Sequence, residues 1–272
     1  MIGRRDIQAV PCHEVWRHED KFLIDEVNFF QLYWKLRPFM EIDANAVVPS
    51  DSMLPPENQF PGYQVRSLYF DTPERHALFE KLAGFDRRAK YRIRIYNGTD
   101  TVITLEKKIK RNSYCRKEKT SLTRPQMEAL IAGDYDWLPQ IGPLGEELYV
   151  EMRTRLMQPL VLVDYHRIPL IWPVDEIRIT FDRHLSSGLF RTDIFENTAS
   201  VHPVLAPGQV ILEVKYNHFL PDFLRCLLSG PRNASLAVSK YAMCSRDITM
   251  SAWGDPQDVW EQDWTYPVKG NK

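Results

Sequence analysis

The segment Lys90–Lys108, KYRIRIYNGTDTVITLEKK, decides the fold of this chain. Two strand-like runs flank the dipeptide Asn97-Gly98, which is a strong signal for a tight β-hairpin turn. In the first run, cationic residues alternate with Tyr and Ile, and alternate residues of a strand point to opposite faces. The cationic positions are Lys90, Arg92 and Arg94. The segment therefore predicts a hairpin with one charged face and one apolar face.

The same spacing recurs in other parts of the chain. A carboxylate and a lysine stand two residues apart in three strand-like runs, as Glu19/Lys21, Glu106/Lys108 and Glu213/Lys215. Alternation of this kind usually means that the charged face meets solvent, and that interpretation suits any one strand taken alone. Several strands share the pattern, however, and the apolar run 219–229 predicts a helix that needs an apolar surface to cover.

A closed barrel satisfies both requirements. Helices pack on its apolar outer face while charged side chains point inward, and about eight strands enclose room for side chains or for one ligand. The sequence therefore predicts an α+β fold, a closed antiparallel β-barrel tunnel of about eight strands with helices packed on the outside. Cations would dominate the interior, and a bound polyanion with a divalent ion would balance them.

Local signals place the helices. Asp25 is expected to cap a helix that follows the first strand, and Thr72 with Pro73 is expected to begin a second helix. The run Phe219–Ser229 is predicted to be a helix that faces the core. Asp182 shares a strand face with Arg178 and is expected to pair with it.

Composition limits the function. The chain has 272 residues and a net charge of −1, so a basic field for duplex nucleic acid is absent. The four cysteines match no zinc or redox spacing, which predicts free thiols in a reducing compartment. No secretory signal, membrane-length apolar run or P-loop is visible, so we expect a cytoplasmic protein. One domain over residues 1–272 is predicted, with its core at about 13–245 and a C-terminal tail at 251–272.

The ordered motifs resemble a known family. The segments are RHEDKFLI, LYFDT, KYRIRIYNG, LEKKIK, CRKEK, DYHRIPL, DEIRITFD, ILEVKY and SLAVSKYAM. In this order they are similar to the VTC-type polyphosphate polymerase domain of the triphosphate tunnel metalloenzyme superfamily, in a stand-alone bacterial form. The resemblance implies ATP and polyphosphate as ligands, Mn²⁺ or Mg²⁺ as cofactor, no nucleic acid, and no membrane span of its own. It also allows a membrane-associated partner.

The resemblance assigns residues by motif. The predicted catalytic residues are Lys21, Arg92, Arg94, Lys108, Arg178 and Lys240. The predicted phosphate-binding residues are Lys117, Arg167, Lys215 and Ser239. The predicted metal ligand is Glu213, and Glu19 and Glu106 either join it or only neutralise the interior.

One departure bears on the activity. Hydrolytic tunnel enzymes begin with an ExExK motif, whereas this chain has Arg17, Glu19 and Lys21. The lost carboxylate favours an ATP-dependent polyphosphate polymerase, which would move the γ-phosphate of ATP onto a growing chain. Two alternatives stay open. One is a tripolyphosphatase or nucleoside triphosphatase, and the other is a non-catalytic polyphosphate-binding subunit.

Overall fold

The computed structural model describes residues 16–48, 59–196, 202–229 and 238–245. The predicted tail at 251–272 lies outside the described residues. The strands are β1 (Arg17–Asp25), β2 (Glu41–Ile42), β3 (Tyr63–Asp71), β4 (Arg87–Tyr96), β5 (Thr99–Arg111), β6 (Tyr114–Leu122), β7 (Gln158–Trp172), β8 (Ile177–Ser187), β9 (His202–Pro203) and β10 (Gln209–Tyr216). The helices are α1 (Glu26–Leu36), α2 (His76–Leu82), α3 (Arg124–Ala132), α4 (Pro143–Arg155) and α5 (Asp222–Leu228).

Eight of the strands close into an antiparallel barrel. Their order around it is β7-β3-β4-β5-β6-β1-β10-β8, and β8 pairs again with β7. The two-residue strands β2 and β9 extend the edges of β7 and β8. The predicted closed barrel of about eight strands is confirmed.

The hairpin that carries the charged pattern forms as predicted. Strands β4 and β5 pair from Arg87↔Arg111 to Tyr96↔Thr99 around the Asn97-Gly98 turn. Both turn residues have positive φ, 51° and 65°, which the tight hairpin turn requires and which Asn and Gly tolerate best. The pairing shifts register between Tyr96 and Arg94, so the turn starts the hairpin but does not by itself set the register at Arg92↔Glu106.

Helices cover the apolar outer face in two groups. Helices α1 and α5 pack on a cluster that includes Phe181 and Leu212 of the wall. Helices α3 and α4 pack on a second cluster that includes Ile93 and Leu105, which alternate with the charged residues of β4 and β5. This arrangement leaves the charged faces of the same strands on the inside of the barrel.

Two helix boundaries differ from prediction. Helix α5 begins at Asp222, not at Phe219, because Pro221 disfavours a helical conformation at the residue before it. Phe219 and Phe223 are exposed, so only part of the predicted apolar face is buried. Helix α2 begins at His76 instead of Pro73, although Thr72 Oγ1 still accepts a hydrogen bond from the His76 amide at 3.2 Å. Asp25 caps α1 as predicted.

A third apolar cluster lies on the inner face of the barrel wall. It joins Val65, Val163 and Ile211 to Tyr241 of the helical turn at 240–245. This turn carries Lys240 into the charged interior. None of the described helices is both long enough and apolar enough to cross a lipid bilayer.

Candidate active site

A cavity of about 440 Å³ lies inside the barrel. Among the described residues that line it are eleven lysines and arginines but only three carboxylates. Such an excess of buried cations is unfavourable unless anions balance it. The cavity is therefore suited to a ligand with several negative charges.

Arg92 and Arg94 of β4 are held in fixed orientations on one wall. Arg92 donates to Glu106 Oε2 through Nε at 2.7 Å and to the Tyr69 hydroxyl at 2.7 Å. Arg94 donates to Ser67 Oγ at 3.1 Å and to the Tyr165 hydroxyl at 3.2 Å. Because hydroxyls rather than carboxylates hold most of the Arg94 head group, its charge stays available to a ligand.

Glu213 of β10 lies at the centre of a cluster of cations. Its carboxylate is 3.0 Å from Lys21 Nζ, 2.8 Å from Lys215 Nζ and 2.6 Å from Lys240 Nζ. Arg167 Nη2 donates to it at 3.2 Å. Burial alone would raise the pKa of Glu213, but these cations lower its pKa well below the ordinary value. The group is therefore ionised at neutral pH.

Glu19 of β1 is the second carboxylate in this region. It accepts a hydrogen bond from Lys108 Nζ, and its carboxylate is 3.5 Å from Lys215 Nζ and 3.9 Å from Lys21 Nζ. Burial would raise the pKa of Glu19, but Lys108, Lys21 and Lys215 lower its pKa well below the ordinary value. Glu19 is therefore also a carboxylate anion at neutral pH.

Glu19 and Glu213 form a pair of oxygen donors that suits a divalent ion. The ammonium groups of Lys21 and Lys215 each contact both carboxylates, so one cation can bridge them. Among the described residues, no three His, Cys, Asp or Glu side chains form a cluster that could hold a metal. Mg²⁺ commonly takes one or two protein carboxylates and completes its shell with phosphate oxygens and water. The donor set fits a metal that arrives with its phosphate ligand.

Lys215, and Lys117 beside Glu106, have depressed pKa values. Burial lowers the pKa of Lys215 to about 8, against the opposing effect of Glu213. Burial and the nearby Arg94 and Arg92 lower the pKa of Lys117 to about 8, although Glu106 opposes this. Both amines therefore carry a proton at neutral pH but lose it more readily than an ordinary lysine as the pH rises.

The structure brings most of the predicted site residues together. Those that line the cavity are Glu19, Lys21, Arg92, Arg94, Lys108, Arg167, Glu213, Lys215, Ser239 and Lys240. They come from five strands and from the 238–245 segment, so only the closed barrel assembles them.

Three predicted residues do not line the cavity among the described residues. Glu106 lies behind Arg92, and Lys117 Nζ contacts Glu106 at 3.0 Å. Arg178 Nη2 donates to Asp43 and to the Tyr63 hydroxyl, although Arg178 lies opposite Lys215 in the β8–β10 ladder. The predicted pairing of Asp182 with Arg178 is wrong, because cross-strand register places Asp182 opposite Arg167, which donates to it twice at 2.7 Å.

Several contributors were missed at the sequence level. Tyr69 and Tyr165 supply the hydroxyls that orient the two arginines. Strand alternation places each tyrosine on the inward face of its strand, β3 or β7. Most of their neighbours are apolar, however, so the sequence did not indicate a polar role for either hydroxyl. Asp182 also contacts Lys240, so it neutralises two cavity cations at once.

Comparison with known proteins identifies the family. The model of the VTC domain matches residues 16–247. The chain belongs to the VTC domain family. The resemblance that the sequence motifs carried is confirmed, and no curated protein sequence matches significantly.

Solved structures share the barrel. The Hippeastrum protein HpAC1, assigned as an adenylyl cyclase and described as having a dominant triphosphatase activity, has a TM-score of 0.50 at 15% identity, over 86% of this chain and 96% of that one. A protein of Bacillus halodurans assigned as an adenylate cyclase has a TM-score of 0.41 at 11% identity, over 79% and 84% of the two chains. The VTC domain match and the tunnel-shaped barrel support a triphosphate-tunnel enzyme.

Proposed function

We propose that this VTC domain protein is an ATP-dependent polyphosphate polymerase that requires a divalent metal ion. The observation that carries the proposal is the row of cations inside the barrel beside the carboxylate pair Glu19 and Glu213. Phosphoryl transfer depends mainly on positioning and on neutralising negative charge, and this interior supplies both.

In the proposed reaction, a terminal oxygen of the growing chain attacks the γ-phosphorus of ATP. A new P–O bond forms, the bond from the γ-phosphorus to the β,γ-bridging oxygen breaks, and ADP leaves with that electron pair. The attacking phosphate oxygen is already ionised near neutral pH, so the step needs no general base. A reaction without a general base is consistent with this cavity, because Glu19 and Glu213 are ion-paired with lysines.

The chain's own residues have distinct roles in this proposal. Arg92 and Arg94 bind the transferring phosphate through planar guanidinium groups that Tyr69 and Tyr165 hold in place. Lys240, held by Glu213 and Asp182, binds the neighbouring phosphate, and Ser239 lines the cavity beside it.

Glu213 and Glu19 would hold Mg²⁺ or Mn²⁺, and the bound ion would supply charge neutralisation at the phosphate oxygens. Lys21 and Lys215 would then release part of their contact with these carboxylates and turn to phosphate. The ion pairs of the ligand-free site thus keep the carboxylates ionised until metal and phosphate arrive together.

The test incubates pure protein with ATP and Mn²⁺ or Mg²⁺ and resolves the products on a gel. We expect long polymers from the native protein and none from Arg94→Ala, whose fold is checked by circular dichroism. Arg155→Ala is the matched control, because Arg155 is exposed on α4 and pairs there with Glu151 of the same helix. Unchanged polymer from Arg94→Ala would refute the proposal.

A triphosphatase is the second candidate, since the structurally similar HpAC1 is described with that activity. Water would replace the chain as the attacking group. Orthophosphate release from tripolyphosphate or ATP, without polymers, would select this function. Polyphosphate binding without any consumption of ATP would select a non-catalytic subunit.

A further inference from the structure

The C-terminal end of helix α2 presents apolar side chains to solvent. Phe79, Leu82 and Phe85 are 59%, 55% and 51% exposed, and the rings of Phe79 and Phe85 lie 6.1 Å apart. Phe79 and Leu82 are one helical turn apart, so they share a face of α2. Large apolar side chains that are exposed together commonly mark a surface that another segment covers. We name Phe79, Leu82 and Phe85 the α2 patch.

The α2 patch borders the mouth of the barrel cavity. Lys81 of α2 lines the cavity, and so does Arg88, whose Nη1 donates to the carbonyl oxygen of Phe85 at 2.5 Å. Asn112 of the β5–β6 turn also lines the cavity, and its amide donates to the carbonyl oxygen of Asp86 at 3.1 Å. A segment that covered the patch would therefore lie beside the cations of the mouth.

The charges around this mouth are mostly positive. Residues 80–90 carry four basic side chains and two acidic ones, Glu80 and Asp86. Two more cations, Lys110 and Arg111, lie opposite the start of β4 in the β4–β5 ladder. A net positive field of this kind attracts a negatively charged segment.

The described chain ends beside the start of α2. The Tyr241 hydroxyl donates to the Asp71 carboxylate, which also accepts from the Ala77 amide of α2 at 2.8 Å. Cys244 shares an apolar cluster with Tyr241 and Ala77. The residues that follow Ser245 therefore continue from a point close to α2.

The sequence beyond Ser245 contains an occupant of matching chemistry. Residues 253–266, WGDPQDVWEQDWTY, include three Trp, one Tyr and four carboxylates, and no Lys or Arg. Trp253 is eight residues after Ser245, and eight extended residues span up to about 26–29 Å, whereas the seven residues of α2 are about 10 Å long. The segment is therefore long enough to reach the patch.

We propose that residues 253–266 dock on the α2 patch of the same chain and hold their carboxylates beside the cationic mouth of the cavity. Burial of Trp rings against the patch supplies the apolar contact. Attachment to the same chain gives the segment a high effective concentration at this surface. The docked carboxylates compete with a polyanion for the same positive field. The proposal concerns access to the cavity and does not depend on which reaction takes place there.

The first experiment locates the segment in the full-length protein. A carbodiimide joins an amine to a carboxylate that contacts it, and mass spectrometry identifies the joined peptides. We expect links from Lys81 to carboxylates of residues 253–266. A mixture of ¹⁵N-labelled and unlabelled chains separates links within one chain from links between chains. Phe79→Ser with Leu82→Ser keeps every charge, and it should lower the yield of these links at least about fivefold because the apolar contact is lost.

The second experiment measures the affinity for tripolyphosphate in EDTA by titration calorimetry. The patch variant, Phe79→Ser with Leu82→Ser, should bind at least about threefold more tightly than the native protein. A tail variant in which amides replace the four carboxylates should show a similar gain. Its substitutions are Asp255→Asn, Asp258→Asn, Glu261→Gln and Asp263→Asn. The patch and tail variants combined should gain no more than either alone, because both remove one contact.

A matched control tests for a general effect of charge. It neutralises four exposed acids on the α3–α4 side of the barrel and should change the affinity less than about 1.5-fold. The control substitutions are Glu128→Gln, Asp134→Asn, Asp136→Asn and Glu146→Gln. Circular dichroism checks each fold, and Leu82→Ser alone replaces the patch variant if the double substitution fails to fold.

Absence of links from Lys81 to residues 253–266 would overturn the inference. Links only between different chains would also overturn it and would assign the α2 patch to a second copy of the protein. A gain in affinity for the tail variant without one for the patch variant would show charge repulsion without docking. If the expected links and gains are seen but the native protein makes no polymer from ATP, the docking stands and the polymerase proposal fails.

Discussion

Glu106 offers the sharpest test of the electrostatic reasoning. The residue is 1% exposed, and its carboxylate accepts from Arg92 Nε at 2.7 Å and from Lys117 Nζ at 3.0 Å. Arg94 Nη1 is 3.7 Å away. Burial would raise the pKa of Glu106, but Arg92, Arg94 and Lys117 lower its pKa well below the ordinary value, so the group is charged at pH 7.

The substitution Glu106→Gln keeps the shape and removes the charge, which leaves these cations without their shared counter-ion. Loss of one partner from a buried ion pair costs about 3–5 kcal/mol in the free energy of unfolding. The glutamine oxygen still accepts one hydrogen bond, so we expect the lower end, about 3 kcal/mol. For a chain of this size, that corresponds to a fall in Tm of about 6–12 °C.

Thermal unfolding followed by circular dichroism measures the change, with and without saturating tripolyphosphate. A bound polyanion restores the missing negative charge, so tripolyphosphate should raise the Tm of Glu106→Gln more than that of the native protein. Glu128→Gln is the control, because Glu128 forms an exposed pair with Arg124 that is worth at most about 1 kcal/mol. A Tm for Glu106→Gln within about 2 °C of the native value, or an equal response to tripolyphosphate, would refute the reasoning.

The remaining predictions concern pH, metal and packing. Because Lys215 lines the cavity and has a pKa of about 8, it loses charge as the pH rises through 8, so affinity for tripolyphosphate in EDTA should fall between pH 7 and 9, by up to about tenfold per pH unit; titration calorimetry that gave a flat profile would contradict this. Removal of metal with EDTA should stop ATP consumption, which Mg²⁺ or Mn²⁺ restores, while calorimetric binding of tripolyphosphate persists; ATP turnover that continues in EDTA would count against a metal held by Glu19 and Glu213. The substitution Asp71→Asn should lower the free energy of unfolding by about 1–3 kcal/mol, because the buried carboxylate accepts from the Thr72 and Ala77 amides at 2.8 Å and from the Tyr241 hydroxyl. Urea unfolding measures that loss, and a change under about 0.5 kcal/mol would show that these bonds matter little.

The local sequence pattern was sufficient to predict the strands of the barrel wall and the direction in which their side chains point. The Asn97-Gly98 turn indicated the β4–β5 hairpin, and alternation separated Arg92 and Arg94 from Ile93 without any knowledge of the partner strands. Strand periodicity is a property of the backbone, so it can be read directly from the sequence. The order of the motifs along the chain indicated the family, which the match over residues 16–247 confirms.

Pairing between charges could not be predicted in this way. Asp182 and Arg178 share one strand face, yet Asp182 bonds to Arg167 because β7 and β8 pair in that register, and Arg178 turns instead to Asp43. Likewise, Lys240 reaches Glu213 only because the 238–245 segment packs against the barrel.

The amino-acid order alone determined which side chains point inward, because facing direction depends on neighbours one and two residues away. The closed barrel decided which carboxylate neutralises which cation. Those contacts join residues from different strands, and their distances depend on how the strands pair around the whole ring.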